Sequence, residues 1–193
     1  VGDMVITGIA GGEYGARGFI DAYALTTGER LWRRYTVPSE GEKGVETWAG
    51  DSWKTGGGPT WAIGTYDPQT DLLYWPVGNP SPDWNGDVRE GDNLYTNSVL
   101  ALDPKTGEME WYFQFTPHDM WDYDSTNGIV VDDIVVDGKT VRVLMQPNRN
   151  GYVYVLDATT GAYMKGFQYT DRQTWSSGLD ENGRPIVNED ARP

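Results

Sequence analysis

The chain has 193 residues, and its 15 lysines and arginines against 29 aspartates and glutamates give a net charge of −14. This acidic balance argues against binding to nucleic acid or to anionic membrane surfaces. No apolar run is long enough for a membrane-spanning helix, so we expect no membrane insertion. The absence of cysteine excludes thiolate metal sites and disulfides within these residues.

Glycine, tyrosine and tryptophan are abundant, with 25, 12 and 9 residues. This composition favours short strands and tight turns over long helices. The chain starts at Val1 in a strand-like stretch and stops in a polar tail. Both ends look cut, so we expect a piece of a longer protein, incomplete at both ends, and targeting segments can lie outside it.

A hairpin pattern recurs along the chain. An apolar strand end leads to Asp or Thr, then to Thr-Gly, and then to a second strand. The close copies are AYALTTGERLW (22–32), VLALDPKTGEMEW (99–111) and VYVLDATTGAYMKG (153–166), and a looser copy is YDPQTDLLYWPVG (66–78). Asp favours the start of a turn and Gly supplies positive φ, so each copy predicts a β-hairpin. Trp32 and Trp111, four residues after the glycines, are predicted to pack between neighbouring units, whereas the third copy has Lys165 there.

The spacing of these copies indicates a β-propeller. Gly28, Gly107 and Gly161 are 79 and 54 residues apart. Counting the loose copy as a unit of its own brings the spacing near the roughly 40–50 residues of a four-stranded blade. Residues 1–193 are therefore expected to form one partial, all-β propeller domain of about four blades. A β-sandwich with three similar hairpins is the alternative.

Five stretches do not fit the hairpin pattern, and each places polar residues among glycines or aromatic residues. They are GIAGGEYGARG (8–18), DSWKTGGGPTW (51–61), PVGNPSPDW (76–84), PHDMWDYDST (117–126) and MQPNRNGYVYVLD (145–157). In a propeller, such inserts decorate one face around the central channel, where their polar groups can converge on one site.

Asp122 and Asp124 are two residues apart, and in an extended segment such side chains point the same way. Neighbouring carboxylates repel unless a proton or a cation intervenes. Glu13 and Asn79 offer a carboxylate and an amide oxygen from two other inserts, and such oxygens are the ligands of hard cations. The alternative is that all four are solvated turn residues.

The other candidates also have plainer explanations. Trp61 is equally explained as a core residue, and Arg149 as the partner of an aspartate. His118 is the only histidine and cysteine is absent, which argues against a histidine-based catalytic triad or a zinc site.

Taken in order, the stretches GGEYGARG, DSWKTGGGPTW, VGNPSPDW, TPHDMWDYDSTN and NRNGYVYVLD resemble those of the pyrroloquinoline quinone (PQQ) dependent alcohol dehydrogenases. These are the methanol and ethanol dehydrogenases with an eight-bladed propeller, and the resemblance runs almost from end to end. It implies that the chain supplies about four of the eight blades.

The resemblance also assigns roles. Glu13 and Asn79 are implied to be metal ligands, and Asp122 to be the catalytic base that also lies near the metal. Trp61 is implied to form the floor under the quinone, and Arg149 to hydrogen-bond the quinone oxygens. The implied reaction oxidises a primary alcohol: Asp122 accepts the hydroxyl proton while hydride moves to C5 of PQQ, and the metal acts as a Lewis acid.

Asp124 bears on the identity of the metal. Two residues after the catalytic aspartate, calcium-dependent methanol dehydrogenases usually have a small uncharged residue, and lanthanide-dependent members have an aspartate. Glu13, Asp122 and Asp124 together bring three negative charges, which balance a trivalent ion. We therefore expect Asp124 to bind a lanthanide ion, with Ca²⁺ as the alternative metal; a plain turn cap before STNG is the alternative role.

The resemblance further implies a small alcohol as substrate, a c-type cytochrome as electron acceptor and a periplasmic location. It leaves open a homodimer, a haem domain and a disulfide outside this segment. We expect the segment alone to be inactive, because part of a ring leaves the cofactor pocket open and strand edges bare. Two other functions stay open: a quinoprotein that oxidises polyols or aldoses, and a non-catalytic propeller scaffold.

Overall fold

The computed structural model describes residues 1–193 as thirteen strands in four antiparallel sheets. The first sheet contains β1 (Met4–Gly8), β2 (Phe19–Ala24) and β3 (Arg30–Tyr35). The second contains β4 (Thr65–Asp67), β5 (Leu72–Pro76), β6 (Ser98–Leu102) and β7 (Met109–Gln114). The third contains β8 (Val130–Val136), β9 (Lys139–Pro147), β10 (Tyr152–Asp157) and β11 (Tyr163–Gln168). The fourth contains β12 (Ser176–Leu179) and β13 (Pro185–Val187).

All helices are single 3₁₀ turns of three or four residues, at Gly12–Tyr14, Val45–Thr47, Ser52–Thr55, Gly86–Arg89 and Glu189–Ala191. None of them is long and apolar enough to cross a membrane. Within each sheet, strands that are consecutive in the chain are hydrogen-bonded neighbours, so each sheet is a simple meander.

The predicted hairpins form at all three close copies. Gly28, Gly107 and Gly161 have φ of 71°, 72° and 74° and join β2 to β3, β6 to β7 and β10 to β11. In the second and third copies, the carboxylates of Asp103 and Asp157 accept backbone N–H groups of the turn. The positive φ explains why glycine is needed at this position.

The assignment of the loose copy to a separate blade is wrong. Its turn, with Asp71 at φ 53°, joins β4 to β5 and therefore lies in the same sheet as the turn at Gly107. The wide spacing between Gly28 and Gly107 instead reflects the long connections 36–64 and 77–97. Turn chemistry is local, so it marks a hairpin without revealing which two strands of a blade the hairpin joins.

Three of the hairpin turns, at Gly107, Gly161 and Gly183, receive an aromatic ring from the preceding sheet. Trp32 packs so closely on Gly107 that a Cβ there would be 2.5 Å from its ring, and Trp111 lies equally close to Gly161. In the third sheet, Tyr163 packs on Gly183 in the turn of the fourth sheet. The predicted docking of Trp32 and Trp111 is confirmed, and Tyr163 replaces the tryptophan in the copy that carries Lys165.

The hydrophobic core lies between the sheets. Along β6, Leu100 and Leu102 pack with Ile20 of the first sheet, whereas Val99 and Ala101 belong to the cluster that contains Leu144 of the third sheet. Successive residues of a strand face opposite sides of its sheet, so the second sheet is covered on both faces. This radial stacking is the β-propeller arrangement predicted from the sequence and differs from a two-layer sandwich.

An ion pair also connects the second and third sheets. The Arg142 guanidinium donates to the buried Asp67 carboxylate at 2.7 and 3.2 Å, and this contact lowers the pKa of the Asp67 carboxyl. Beside it, the Tyr74 hydroxyl donates to the Ala158 carbonyl across the same boundary. Buried polar groups are stable only when they are paired or hydrogen-bonded, so a shift between the two sheets would be costly. These contacts therefore hold the second and third sheets in one relative position.

The ring docking predicts unequal effects of two glycine substitutions. Gly28 and Gly161 share a left-handed backbone, but a Cβ on Gly28 would meet nothing within 4 Å, whereas one on Gly161 would meet Trp111. Gly28→Ala is expected to lower the free energy of unfolding by about 1–2 kcal/mol, the cost of that backbone for an L-residue. Gly161→Ala is expected to cost about 1–3 kcal/mol more, because the indole must move.

Urea denaturation of the two single variants measures this difference. Equal losses of stability would show that the Trp111 contact does not hold the neighbouring sheets together.

Candidate active site

The long connections and the short β9–β10 turn (148–151) lie at one end of the sheets. Strand direction alternates along a meander, so the turns at Gly28, Gly107 and Gly161 lie at one end of the sheets. Five other connections lie at the opposite end: those between β1 and β2, β3 and β4, β5 and β6, β7 and β8, and β9 and β10. The five stretches that do not fit the hairpin pattern fall on or within these connections. The topology therefore gathers them at one end of the propeller, as the sequence predicted.

The GGG segment joins three of these connections through its backbone. Gly57 donates its N–H to Ala16 and accepts from Gly18, and Gly58 donates to the Asn79 carbonyl at 2.8 Å. A Cβ on Gly57 would be 2.8 Å from the Ser81 nitrogen. Only residues without side chains allow this approach, so the segment is a tightly bonded crossing of the chain.

Asp124 lies at the centre of the polar network. The Asn79 backbone N–H donates to its Oδ1 at 3.0 Å, and the Trp61 indole Nε1–H donates to its Oδ2 at 3.2 Å. Gly78 has no side chain, and its Cα borders the Asp124 carboxylate where a Cβ would collide with it. The carboxylate is almost fully buried, and burial raises its pKa, an effect that the Asn79 bond opposes.

Arg149 brings Asp122 and Asp124 together. Its guanidinium nitrogens lie 3.8 Å from Asp122 Oδ2 and 3.5 Å from Asp124 Oδ2. The extended backbone expected at this point is wrong, because Asp122 has a left-handed backbone with φ 60°. The two carboxylates still converge, since both reach the same cation. Burial raises the pKa of the Asp122 carboxyl, Arg149 opposes this, and the charge of Glu13 adds to it.

Glu13 stands at the edge of this group. It is exposed in the 3₁₀ turn Gly12–Tyr14, and its charge raises the pKa of both Asp122 and Asp83. No three carboxylate or histidine side chains are close enough to form a metal cluster by themselves. Asp122, Asp124 and the exposed Glu13 therefore do not by themselves form a complete ligand set, and an ion here would need an uncharged oxygen as well.

Asn79 supplies such an oxygen. Its side chain is fully buried, and its Oδ1 has no hydrogen-bond partner. An unpartnered buried acceptor is costly, and hard cations bind amide oxygens together with carboxylates. The residues present thus fit a hard cation, with Asn79 Oδ1, Asp122, Asp124 and Glu13 as the available donors.

Trp61 lies beside this group with 54% of its surface exposed. The alternative explanation of Trp61 as a core residue is therefore wrong. Its ring is held at one edge by the bond to Asp124, which leaves a flat apolar surface next to the carboxylates. A cleft of about 400 Å³ lies elsewhere, near Arg34 and Lys43, and contains none of these residues.

Comparison with known proteins identifies the family of the chain. The family model described as "PQQ: Glucose/ethanol/alcohol dehydrogenase, beta-propeller domain" matches residues 1–171. The chain belongs to this family of PQQ-dependent alcohol dehydrogenases. The resemblance inferred from the sequence is thereby confirmed.

Two relatives illustrate the similarity. Quinoprotein alcohol dehydrogenase PedH of Pseudomonas putida is 46% identical over 100% of this chain and 35% of its own length. The lanthanide-dependent methanol dehydrogenase of Methylorubrum extorquens is 37% identical over 97% of this chain and 35% of its own length. The chain thus spans about a third of the length of these relatives.

Solved propeller structures of the family superpose closely on the chain. The quinohemoprotein alcohol dehydrogenase of Comamonas testosteroni matches with a TM-score of 0.93 and 39% identity, over 100% of this chain and 31% of that chain. A europium-containing methanol dehydrogenase matches with a TM-score of 0.92 and 36% identity, over 97% and 36%. These matches confirm the propeller fold.

Three functional-site neighbours escaped the sequence analysis of this PQQ dehydrogenase segment. Arg89 is fully buried, and its guanidinium donates to the carbonyls of Pro82, Asp83 and Asp119 and to the Asn93 side chain. Asp83 is buried beside Asn79, and burial together with Asp122 and Glu13 raises its pKa to about 6. Both residues stand in or next to the quoted stretch 76–84, but no local pattern marks them as buried.

Asp119 is the third. Its fully buried carboxylate accepts the backbone N–H groups of Trp121 and Tyr123, at 2.9 and 2.8 Å, and the Asn97 amide at 2.6 Å. The two backbone donors flank Asp122, so Asp119 holds the turn that carries the candidate base in this dehydrogenase fold.

Asp119→Asn is expected to destabilise the protein. An amide has one accepting oxygen and one NH₂ group, so at least one buried donor that now bonds to Asp119 loses its acceptor, at a cost of about 1–3 kcal/mol. The free energy of unfolding from urea titration checks this. Asp87→Asn, at an exposed aspartate with no hydrogen bond, is the control, and equal stabilities of the two variants would contradict the role given to Asp119.

Proposed function

We propose that the complete protein is a PQQ- and metal-dependent dehydrogenase that oxidises a primary alcohol of the methanol and ethanol class to the aldehyde. Two observations support this: the chain belongs to the PQQ dehydrogenase family, and it presents a buried, unpartnered Asn79 Oδ1 beside the Asp122–Arg149–Asp124 group. Family membership carries the choice of reaction, and the second observation favours a metal site over a scaffold, because a cation would satisfy both the buried acceptor and the converging carboxylates.

The residues divide into three roles. Glu13, Asn79, Asp122 and Asp124 would hold the metal ion through their oxygens. The exposed face of Trp61 would hold the flat ring of PQQ by stacking, and Arg149 would donate to the oxygens of the quinone. PQQ and the metal ion, when bound, supply an electron-accepting quinone polarised by a Lewis acid.

Asp122 would accept the hydroxyl proton of the alcohol. A general base works best when its pKa approaches the working pH, and burial raises the pKa of Asp122 in that direction. The Asp119 carboxylate accepts the backbone N–H groups of Trp121 and Tyr123 and so holds the left-handed backbone of Asp122 in place. Little reorganisation of the base is therefore needed when the proton moves. The Arg149 guanidinium lies 3.8 Å from the Asp122 carboxylate, and its positive charge offsets part of the negative charge of Asp122 and Asp124.

We further propose a lanthanide ion as the metal, with Ca²⁺ as the alternative. Asp124 does not cap the turn that follows it, because its carboxylate bonds only to Asn79, Trp61 and Arg149, from three other connections. It thus belongs to the polar group at which the ion would bind. The three negative charges of Glu13, Asp122 and Asp124 match a trivalent ion better than a divalent one.

The partners follow from the same chemistry. Oxidation of an alcohol releases two electrons, and we propose that a c-type cytochrome in the periplasm accepts them. A polyol or an aldose is the second candidate for the substrate, since the fold and the base would be the same. Turnover of methanol, ethanol, glycerol and glucose by the full-length enzyme distinguishes these substrates.

Asp122→Asn in the full-length enzyme is expected to lower kcat by about 10²–10⁴-fold, because the amide keeps the shape but does not accept a proton. PQQ binding, followed by absorbance, is expected to persist. Asp132→Asn, at an exposed aspartate on β8, serves as the control. Near-normal turnover by Asp122→Asn would rule out this residue as the base.

The metal is tested by reconstituting apo-enzyme and PQQ with either La³⁺ or Ca²⁺. We expect La³⁺ to support activity in the wild type, and Asp124→Ala to lose that activity because the site then lacks one negative ligand. Asp87→Ala removes the same charge at an exposed position and is expected to behave as the wild type. Activity with Ca²⁺ alone, unaffected by La³⁺ and by Asp124→Ala, would refute the lanthanide while leaving the dehydrogenase proposal intact.

A further inference from the structure

The Asn79 side chain is oriented by a residue outside the group that would bind the metal. Its Nδ2 donates to Asp83 Oδ1 at 2.6 Å and to the Pro80 carbonyl at 3.2 Å. These two acceptors use both N–H groups of the amide. The amide oxygen is therefore left on the opposite side, buried and without a partner.

The carboxylate of Asp83 determines this orientation. An ionised carboxylate accepts hydrogen bonds but cannot donate them, and neither can a carbonyl. If the Asn79 amide were reversed, its oxygen would face two acceptors and its NH₂ group would lose both of them. Burial makes such a mismatch costly, so the Asp83 contact excludes the reversed amide.

Asp83 is itself held rigidly. Its backbone carbonyl accepts from Arg89 Nη2 at 2.9 Å, and the Pro82 carbonyl accepts from Arg89 Nε at 3.0 Å. Arg89 is fully buried, so the segment that carries Asp83 cannot shift without breaking several buried bonds. The charge of Asp83 also lies close enough to Glu13, Asp122 and Asp124 to interact with them.

We propose that Asp83 is a positioning residue for the metal: it orients the Asn79 oxygen toward the ion and adds a negative charge near the site without binding the ion itself. The proposal rests on the metal site described under the proposed function. Outer partners that orient metal ligands typically contribute about 10–100-fold to metal affinity. Asp83→Asn should therefore weaken metal binding by about that factor.

The test measures metal binding directly and needs no turnover. Full-length apo-enzyme is titrated with Tb³⁺, whose luminescence is sensitised by a nearby indole such as that of Trp61, and Ca²⁺ is added in competition. Asp83→Asn is expected to bind Tb³⁺ about 10–100-fold more weakly than the wild type. Asp87→Asn removes the same charge from an exposed position in the same loop and is expected to bind as the wild type.

Thermal unfolding of each metal-free variant, recorded in parallel, separates loss of orientation from loss of fold. Asp83→Asn is expected to keep a cooperative unfolding transition, because its amide oxygen can still accept from Asn79, although its NH₂ group no longer excludes the reversed Asn79 amide.

Three outcomes would overturn the proposal. Unchanged Tb³⁺ binding by Asp83→Asn would refute the proposal and leave the metal site standing. Equal weakening of Tb³⁺ binding by Asp83→Asn and Asp87→Asn would also refute it, because it would indicate a general charge effect. Weaker Tb³⁺ binding that accompanies loss of the cooperative unfolding transition of metal-free Asp83→Asn would refute the orienting role, since Asp83 would then support the fold instead. Absence of binding of either metal by the wild type would instead refute the metal site of the proposed function, and this inference with it.

Discussion

The burial of the Asp124 carboxylate is the constraint on which the candidate site depends. An unpaired buried carboxylate would be strongly unfavourable, and here three connections each supply a donor: the Asn79 backbone, the Trp61 indole and the Arg149 guanidinium. Gly78 leaves the space that the carboxylate fills. One acidic side chain thus fixes the relative positions of four segments that are far apart in the chain.

The propeller makes this convergence possible. The meander places the turns at Gly28, Gly107 and Gly161 at one end of the sheets, and the long connections together with the β9–β10 turn at the other. Trp32 and Trp111 each pack on the hairpin turn of the next sheet, and the apolar faces of the second sheet pack on both neighbours. The rigid end of the molecule therefore supports the end that carries the polar groups, as sites built on a rigid scaffold require.

Behind the residues of the site lies a second group of buried polar side chains. Asp119 holds the turn around Asp122, Asp83 orients Asn79, and Arg89 ties the backbones of both acidic residues together. Each of these side chains is largely or fully buried and hydrogen-bonded, so a change in one of them is transmitted to the ligand or base that it supports. The chemistry proposed for Asp122 and Asn79 thus depends on residues that need not contact substrate, metal or cofactor.

A large part of this could be predicted from the sequence. The hairpins at Gly28, Gly107 and Gly161 follow from local turn chemistry, and Trp32 and Trp111 recur at a fixed distance from two of these glycines, so both were predictable. The family could also be recognised, because its stretches keep their order. The sequence did not reveal that the turn at Asp71 shares a sheet with Gly107, since local turn chemistry carries no information on which strands pair.

The tertiary structure alone decided the geometry of the site. Asp122 was expected in an extended segment, but its backbone is left-handed, and Asp119 of the same connection, itself buried against Asn97, accepts the N–H groups on either side of it. Trp61 was as readily explained as a core residue, but it lies half exposed against Asp124. Burial and long-range hydrogen bonds arise only when separate connections meet, so the residue types were determined by the sequence, whereas their orientations and supporting partners were determined by the fold.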